Sequence, residues 1–262
     1  MLTGERDFYM TVRQLYENIS DRIPEDLREE WDNDGIMCSA DDMADVNRAL
    51  ITLDVTEEIV DYAIDNGFDL IVSHHPLVFK PINAINPENH ISRKLVKLIR
   101  AGVSVISLHT RADKVRGGVN DCLARIIGLA DIEPIGDDCL ARIGHLERET
   151  SMEDFASRVK SVLGIDKMLV ADAYNPVYTV ALVGGDGKSY INDAIEMGAD
   201  TFLSGRIGYN TMEEAAELGI NLVEAGHYAT EFPVTKFFSH LINKIDPRIY
   251  VQIVGSNVIR TV

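Results

Sequence analysis

Histidines and carboxylates recur in this chain at spacings that suit metal ions. Ser73-His74-His75-Pro76 directly follows the apolar run DLIVS. Neighbouring side chains point in opposite directions in extended chain, and Pro76 biases His75 towards that conformation. The two imidazoles are therefore disposed to reach different ions. His109-Thr110-Arg111-Ala112-Asp113 follows VISL, and His227-Tyr228-Ala229-Thr230-Glu231 follows NLVEAG. Each places a carboxylate four residues after a histidine, on the same face if the chain turns helical. One such pair alone reads better as a surface ion pair. Two at corresponding strand ends, beside an adjacent His-His, read as a ligand set. Four histidines, an aspartate and a glutamate suit a dinuclear centre of two divalent metal ions. Imidazole with carboxylate suits zinc, iron, manganese, cobalt or nickel, so the residue types leave the metal open. Glu231 is the candidate catalytic residue: a carboxylate placed to bridge two ions, with a bridging water as nucleophile.

The elements that must position these residues alternate along the chain. Val12, Leu15, Ile19 and Ile23 recur at helical steps until Pro24. ALITLDV (49–55) reads as a strand and TEEIVDYAIDNG as a helix capped by Thr56 and stopped at Gly67. DLIVS (69–73), a helix near 91–101 and VSVISL (103–108) come next. The second half repeats this order. Shifted by 131 residues, Ile64, Gly67, Asp69 and Ser73 fall on Ile195, Gly198, Asp200 and Ser204. TVALVGG (179–185), TFLS (201–204), a helix near 210–218 and NLVEA (221–225) answer the first-half segments. Between the halves, RIGHLERET reads as a strand and the helix after it as capped by Ser151. The pattern predicts an α/β fold of duplicated, three-layer βαβ-type lobes with largely parallel sheets, divided at roughly 1–135 and 136–262. Open α/β sheets bind ligands at the carboxyl ends of their strands. The metal site is expected there, between the lobes.

Composition narrows the partners. The 262 residues hold 25 Lys and Arg against 42 Asp and Glu, a formal charge of −17. Nucleic acid and anionic membrane surfaces are both disfavoured, because each is held by clustered Lys and Arg. The three cysteines form no CxxC pair, the first residues lack an apolar signal core, and no run is long enough for a membrane span. The expected compartment is the cytoplasm. Two bound divalent ions would bring about +4 into the cleft, so a small anionic substrate such as a nucleotide remains compatible with the acidic exterior. Arg111, Lys114 and Arg206 are candidate substrate contacts.

Several other signals invite chemistry but carry less weight. GGDGKS (184–189) lacks the first glycine of a Walker loop, whose position is Leu182, so a strand-to-helix turn is expected. His90, His145 and His240 have no spaced partners, and Cys122 reads as the apolar side of a helix. Trp31 is expected either to line the mouth of the site or to pack against the helices.

SHHP (73–76), HTRAD with GGVNDCLA (117–124), GHYATE (226–231), WDNDG (31–35) and LVGGDG (182–187) together resemble the GTP cyclohydrolase 1 type 2 homolog family over nearly the whole chain. The resemblance implies a duplicated α/β fold, a dinuclear metal centre and a toroidal homohexamer built as a trimer of dimers. It places the metal ligands at His74, His75, His109, Asp113, His227 and Glu231. The chain is too short for the middle domain that some members insert. SGRIGYN, with Arg206 and Asn210, and the basic loop of Arg111, Lys114 and Arg116 depart from the family pattern, which loosens any substrate carried over from it. The leading expectation is a metal-dependent hydrolase of a small, anionic molecule. The alternatives are a non-catalytic metal-binding regulatory scaffold and a metal-handling protein.

Overall fold

The computed structural model describes residues 9–259. The chain opens with α1 (Val12–Ser20) and β1 (Gly35–Cys38), then alternates β2 (Arg48–Thr52), α2 (Glu57–Asp65), β3 (Leu70–Ser73), α3 (His90–Ala101) and β4 (Ser104–Ser107). It continues through α4 (Thr110–Lys114), α5 (Val119–Ile127), β5 (Ala130–Ile135), β6 (Ala141–Thr150), α6 (Met152–Leu163), β7 (Leu169–Ala171) and β8 (Val177–Asp186). Next come α7 (Ile191–Glu196), β9 (Thr201–Arg206), α8 (Tyr209–Glu217), β10 (Asn221–Glu224) and α9 (His227–Glu231), before α10 (Val234–Ile245) and β11 (Tyr250–Ile253). Among the described residues, no helix is long and apolar enough to cross a membrane.

The caps explain where the helices begin. Thr56 accepts a hydrogen bond from the Ile59 amide, and Ser151 does the same for Asp154, each supplying an acceptor to the open first turn. Gly102 closes α3 in the left-handed region at φ 73°.

The chain divides into two compact units. One takes the residues up to Ala112 together with Thr235–Val258, and the other takes Asp113–Val234. The division expected near residue 135 is corrected on both counts. The break falls on α4, and the chain returns to the first unit because β11 pairs in parallel with β2, Tyr250 opposite Arg48. That pairing joins residues some 200 positions apart, beyond the reach of any local pattern.

In the first unit the sheet order is β1-β4-β3-β2-β11, parallel except for β1. Leu50, Ile71 and Val105 pack with Ile59, Val60, Leu95 and Leu98 of α2 and α3. Their sequence neighbours Ile51, Val72 and Ile106 are buried on the opposite face, as an alternating strand covered on both sides requires. In the second unit the order is β5-β6-β8-β9-β10-β7, with a parallel core of β8, β9 and β10. Val180, Leu182, Leu203 and Val223 share one core with α5 and α6, and Ala181, Val183, Phe202 and Leu222 share the other with α7 and α8. Each unit is thus an α/β unit built on a parallel core, of four strands in the first and three in the second.

The duplication holds to the level of single hydrogen bonds. Ala49 pairs with Leu70 and Val180 with Thr201, each pair 131 residues apart from its counterpart. Asp69 Oδ2 accepts from the amides of Asn47 and Arg48 at 2.8 and 2.9 Å. Asp200 Oδ2 accepts from Tyr178 and Thr179 at 2.9 and 2.7 Å. One carboxylate in each unit therefore satisfies the two amides where the first parallel strand begins. Asp69→Ala and Asp200→Ala should each cost about 1–2 kcal/mol, because two partly exposed strand-end amides lose a charged acceptor. Urea denaturation should give similar losses for the two variants.

Candidate metal centre

Three imidazoles gather at the carboxyl end of the first unit's sheet. His74 and His75 follow β3 directly, and His109 follows β4 and immediately precedes α4. One nitrogen from each lies within 4.8 Å of the others. Their orientation is fixed by the partner of the other nitrogen. His74 Nδ1 lies 2.9 Å from the carbonyl of Leu108, His75 Nδ1 lies 2.7 Å from Asp54 Oδ1, and His109 Nδ1 lies 2.7 Å from Asp32 Oδ1. Each of these partners can only accept, so each ring carries its proton on Nδ1. A neutral imidazole then has its lone pair on Nε2, the form a metal ligand needs.

The acceptors are themselves held. Asp54, two residues past β2, accepts at Oδ2 from the Ser256 hydroxyl at 3.2 Å, and its own amide donates to that hydroxyl oxygen at 3.0 Å. Asp32 Oδ2 accepts from both the amide and the hydroxyl of Thr110, at 3.0 and 2.6 Å. Burial works to raise the Asp32 carboxyl, but hydrogen bonds from His109 and Thr110 outweigh it and hold the group down at about 2. Asp54, Ser256 and Thr110 are contacts of the candidate site that spacing did not single out, and Asp32 entered only through the family-like WDNDG segment. Their partners lie 21, 202 and 78 positions away, which leaves no short-range signal.

The second unit gathers carboxylates. His227 opens α9 and Glu231 closes it, with His227 Nε2 3.0 Å from Glu231 Oε2. A carboxylate oxygen of Asp113 lies within 4.8 Å of one from Glu231. Two carboxylates this close repel one another, and a divalent cation between them removes that cost. Glycine makes the arrangement possible. A side chain on Gly185 (φ +68°) would collide with Glu231 Oε1, and one on Gly205 would meet Thr230 Oγ1 at 2.6 Å and the His227 Cα at 2.7 Å. The glycine-rich end of β8 is thus a seat for Glu231 rather than a phosphate loop. Asn120 ties the same strand end to Asp113: its Oδ1 accepts from the Gly184 amide at 2.7 Å, and its Nδ2 donates to the Asp113 carbonyl at 3.4 Å.

The two histidine–carboxylate pairs are one residue out of step. Ser107 pairs with Ser73 and Glu224 with Ser204, so the position matching His109 is Gly226, not His227. His74 and His75 likewise match Gly205 and Arg206 in the second unit. The repeat therefore supplies imidazoles from one half and makes room for a carboxylate in the other.

Among the candidate substrate contacts, Arg111 is corrected. It is fully buried, with Nε 2.8 Å from Asp34 Oδ2 and one terminal nitrogen on the Ile23 carbonyl at 2.9 Å. Its guanidinium also lies over the Tyr16 ring, 5.4 Å from the centroid. Lys114 is half-buried and Arg206 is exposed at the end of β9. His145 stacks on Tyr178, and His240 bonds the Lys236 carbonyl within α10, the ordinary roles expected of them. Burial pushes the Cys122 thiol up to about 11, unlike an activated nucleophile.

An α/β chain whose strand ends gather orienting carboxylates, imidazoles and paired acidic side chains is a candidate metalloprotein. Residues 10–261 match the family described as Duf34/NIF3 (NGG1p interacting factor 3), and the chain belongs to that family. It is 32% identical over 232 residues to a Clostridium perfringens protein named GTP cyclohydrolase 1 type 2 homolog, covering 86% of this chain and 88% of that one. It is 30% identical over 241 residues to a Methanocaldococcus jannaschii protein of the same name, covering 90% and 97%. A solved structure titled reduced HcgD from Methanocaldococcus jannaschii matches with a TM-score of 0.82 at 28% identity, over 93% of this chain and 97% of that one. Staphylococcus aureus protein SA1388 matches in fold with a TM-score of 0.86 at 24% identity, over 97% and 99%.

Removing the Arg111 guanidinium strands Asp34 in the core. Arg111→Ala should cost about 3–5 kcal/mol, and Arg111→Met combined with Asp34→Leu should recover much of it, measured by thermal denaturation. For Asp32, a carboxyl held at about 2 contributes stability above its unfolded pKa and loses it as pH falls from about 4 through 2. Asp32→Asn should flatten that acid limb in metal-free protein, read from urea midpoints across the range.

Proposed function

We propose that the chain is a metal-dependent hydrolase in which the two donor sets serve one dinuclear centre. The observation that carries this reading is the forced tautomer of His74, His75 and His109, all presenting Nε2. The donor chemistry fits divalent cations: neutral imidazoles from the first unit, and Asp113, Glu231 and His227 from the second. Two such ions, when bound, supply Lewis acidity and a water acidic enough to act as nucleophile near neutral pH.

The chain's own residues do the positioning. Asp32, Asp54 and the Leu108 carbonyl keep the Nδ1 protons in place, so the rings cannot turn their N–H groups towards a cation. Glu231, seated against Gly185, would be among the residues that hold the ions, and its carboxylate would orient a water for attack. Lys114 and Arg206 are proposed as contacts to the anionic part of the substrate. That substrate is a small, anionic molecule; the names of the relatives favour a purine nucleotide. The working assembly is proposed as the homohexamer, a trimer of dimers, in the cytoplasm.

Elemental analysis of protein purified with added metal should find two ions per chain, and His109→Ala should lower that number. Fewer than about one ion per chain would overturn the dinuclear centre. In a metal-replete screen of nucleotides and phosphate esters, Glu231→Gln should lower turnover about a hundredfold or more while circular dichroism stays unchanged. Two ions per chain with no turnover of any substrate would overturn the hydrolase reading and favour a metal-binding scaffold. Light scattering should give roughly six times the 29.1 kDa chain mass.

A further inference from the structure

Two aromatic rings stand exposed around one of the proposed ligands. Trp31 is 63% exposed and Phe79 is 43% exposed. Their centroids lie 6.1 Å apart at 70°, and each ring meets the His109 imidazole on edge, at 6.2 Å and 80° for Trp31 and 6.1 Å and 88° for Phe79. The residues beside Trp31 are fastened. Asp32 is buried against His109 and Thr110, and the Asn33 side-chain amide donates to the Val78 carbonyl, tying the Trp31 segment to the one bearing Phe79. A stiff backbone thus holds an indole out into solvent instead of packing it.

Single exposed apolar residues are ordinary, but these two touch one another at the rim of a polar cluster, a placement that suits a ligand contact. Size selects the occupant. Two aromatic side chains offer at most about 150–250 Å² each, far below the roughly 1,200 Å² of a stable protein interface. The exposed area of the two rings suits contact with a flat ring of similar size.

We propose that Trp31 and Phe79 form a stacking subsite for a planar heteroaromatic ring, which places the remainder of the ligand beside His109. The subsite deepens the proposed hydrolase reading and rests on it, because it names the class of substrate the centre receives. Ring binding itself needs only these two side chains.

Trp31 is the single tryptophan of the chain, so its emission reports on the subsite directly. Full-length protein, metal-loaded and metal-free, would be titrated with guanosine and adenosine monophosphates, and with ribose 5-phosphate as the ringless control. Both nucleotides should quench the emission saturably in the metal-loaded protein, and ribose 5-phosphate should not. Phe79→Ala should weaken the apparent affinity about tenfold, within the range measured for loss of one stacking ring, at unchanged metal content. Absence of saturable quenching, equal quenching by ribose 5-phosphate, or an unaltered affinity in Phe79→Ala would each overturn the subsite. An emission shift that tracks protein concentration without nucleotide would also overturn it, by assigning the rings to self-association. Metal content is counted separately, so two ions per chain without quenching overturns the subsite alone. Quenching in protein that holds fewer than about one ion per chain after purification with added metal overturns the dinuclear centre alone.

Discussion

A neutral imidazole carries one proton, and the position of that proton decides what the ring can do. In this chain three rings meet acceptors that cannot donate: the Leu108 carbonyl, Asp54 and Asp32. Everything that makes the first donor set depends on those contacts holding. They hold because strand ends are in register. Ser73 lies level with Ser107, and their hydroxyls meet at 2.9 Å, which fixes His74 one residue on against Leu108. Asp54 is fastened by Ser256, and that residue is delivered only because β11 docks on the edge of the sheet beside β2. The last described strand thus contributes to the tautomer of His75.

The two halves show how a repeat takes on different work without changing its frame. Both keep the aspartate at the start of the second parallel strand, with the same two amides on one oxygen. They diverge at the carboxyl ends. His74 matches Gly205, where any side chain would strike backbone and the Thr230 hydroxyl. Thr230 accepts from the Gly185 amide at 3.2 Å, drawing α9 down onto the strand end and leaving Glu231 in the space that glycine vacates. The one-residue offset between His109 and His227 has its origin here. The first precedes its helix and is held by Asp32, whereas the second opens its helix and meets its own Glu231.

The sequence made the strands, the helix caps and the six ligand candidates legible because each is encoded locally. Apolar alternation marks β3, Thr56 and Ser151 mark helix starts, and histidines after apolar runs mark strand ends. Asp54 was not legible, because an aspartate after a strand has no visible partner until the chain has folded. The unit boundary was missed for a related reason: strand β11 looks like any short apolar run, and only pairing with β2 assigns it. The glycines of LVGGDG were visible as a turn, but their purpose depends on a glutamate some 46 positions later, against Gly185.

Charge is where local reading fails most instructively. Arg111 sits in a basic stretch of an acidic chain, which suggests an anion contact. Its long stem instead carries the guanidinium inward to Asp34, Ser20 and the Ile23 carbonyl. Arg142 does the same in the second unit, binding Asp121 and the carbonyls of Leu140 and Lys114. Burial pushes the Asp34 carboxyl up even beside Arg111, so this pair serves geometry more than net stability. Both arginines brace α4, the short helix that carries Asp113. Their charge is spent inside the fold. Under the proposed function, positive charge for an anionic substrate must then come chiefly from the bound ions, which makes metal occupancy and substrate affinity two readings of one electrostatic fact.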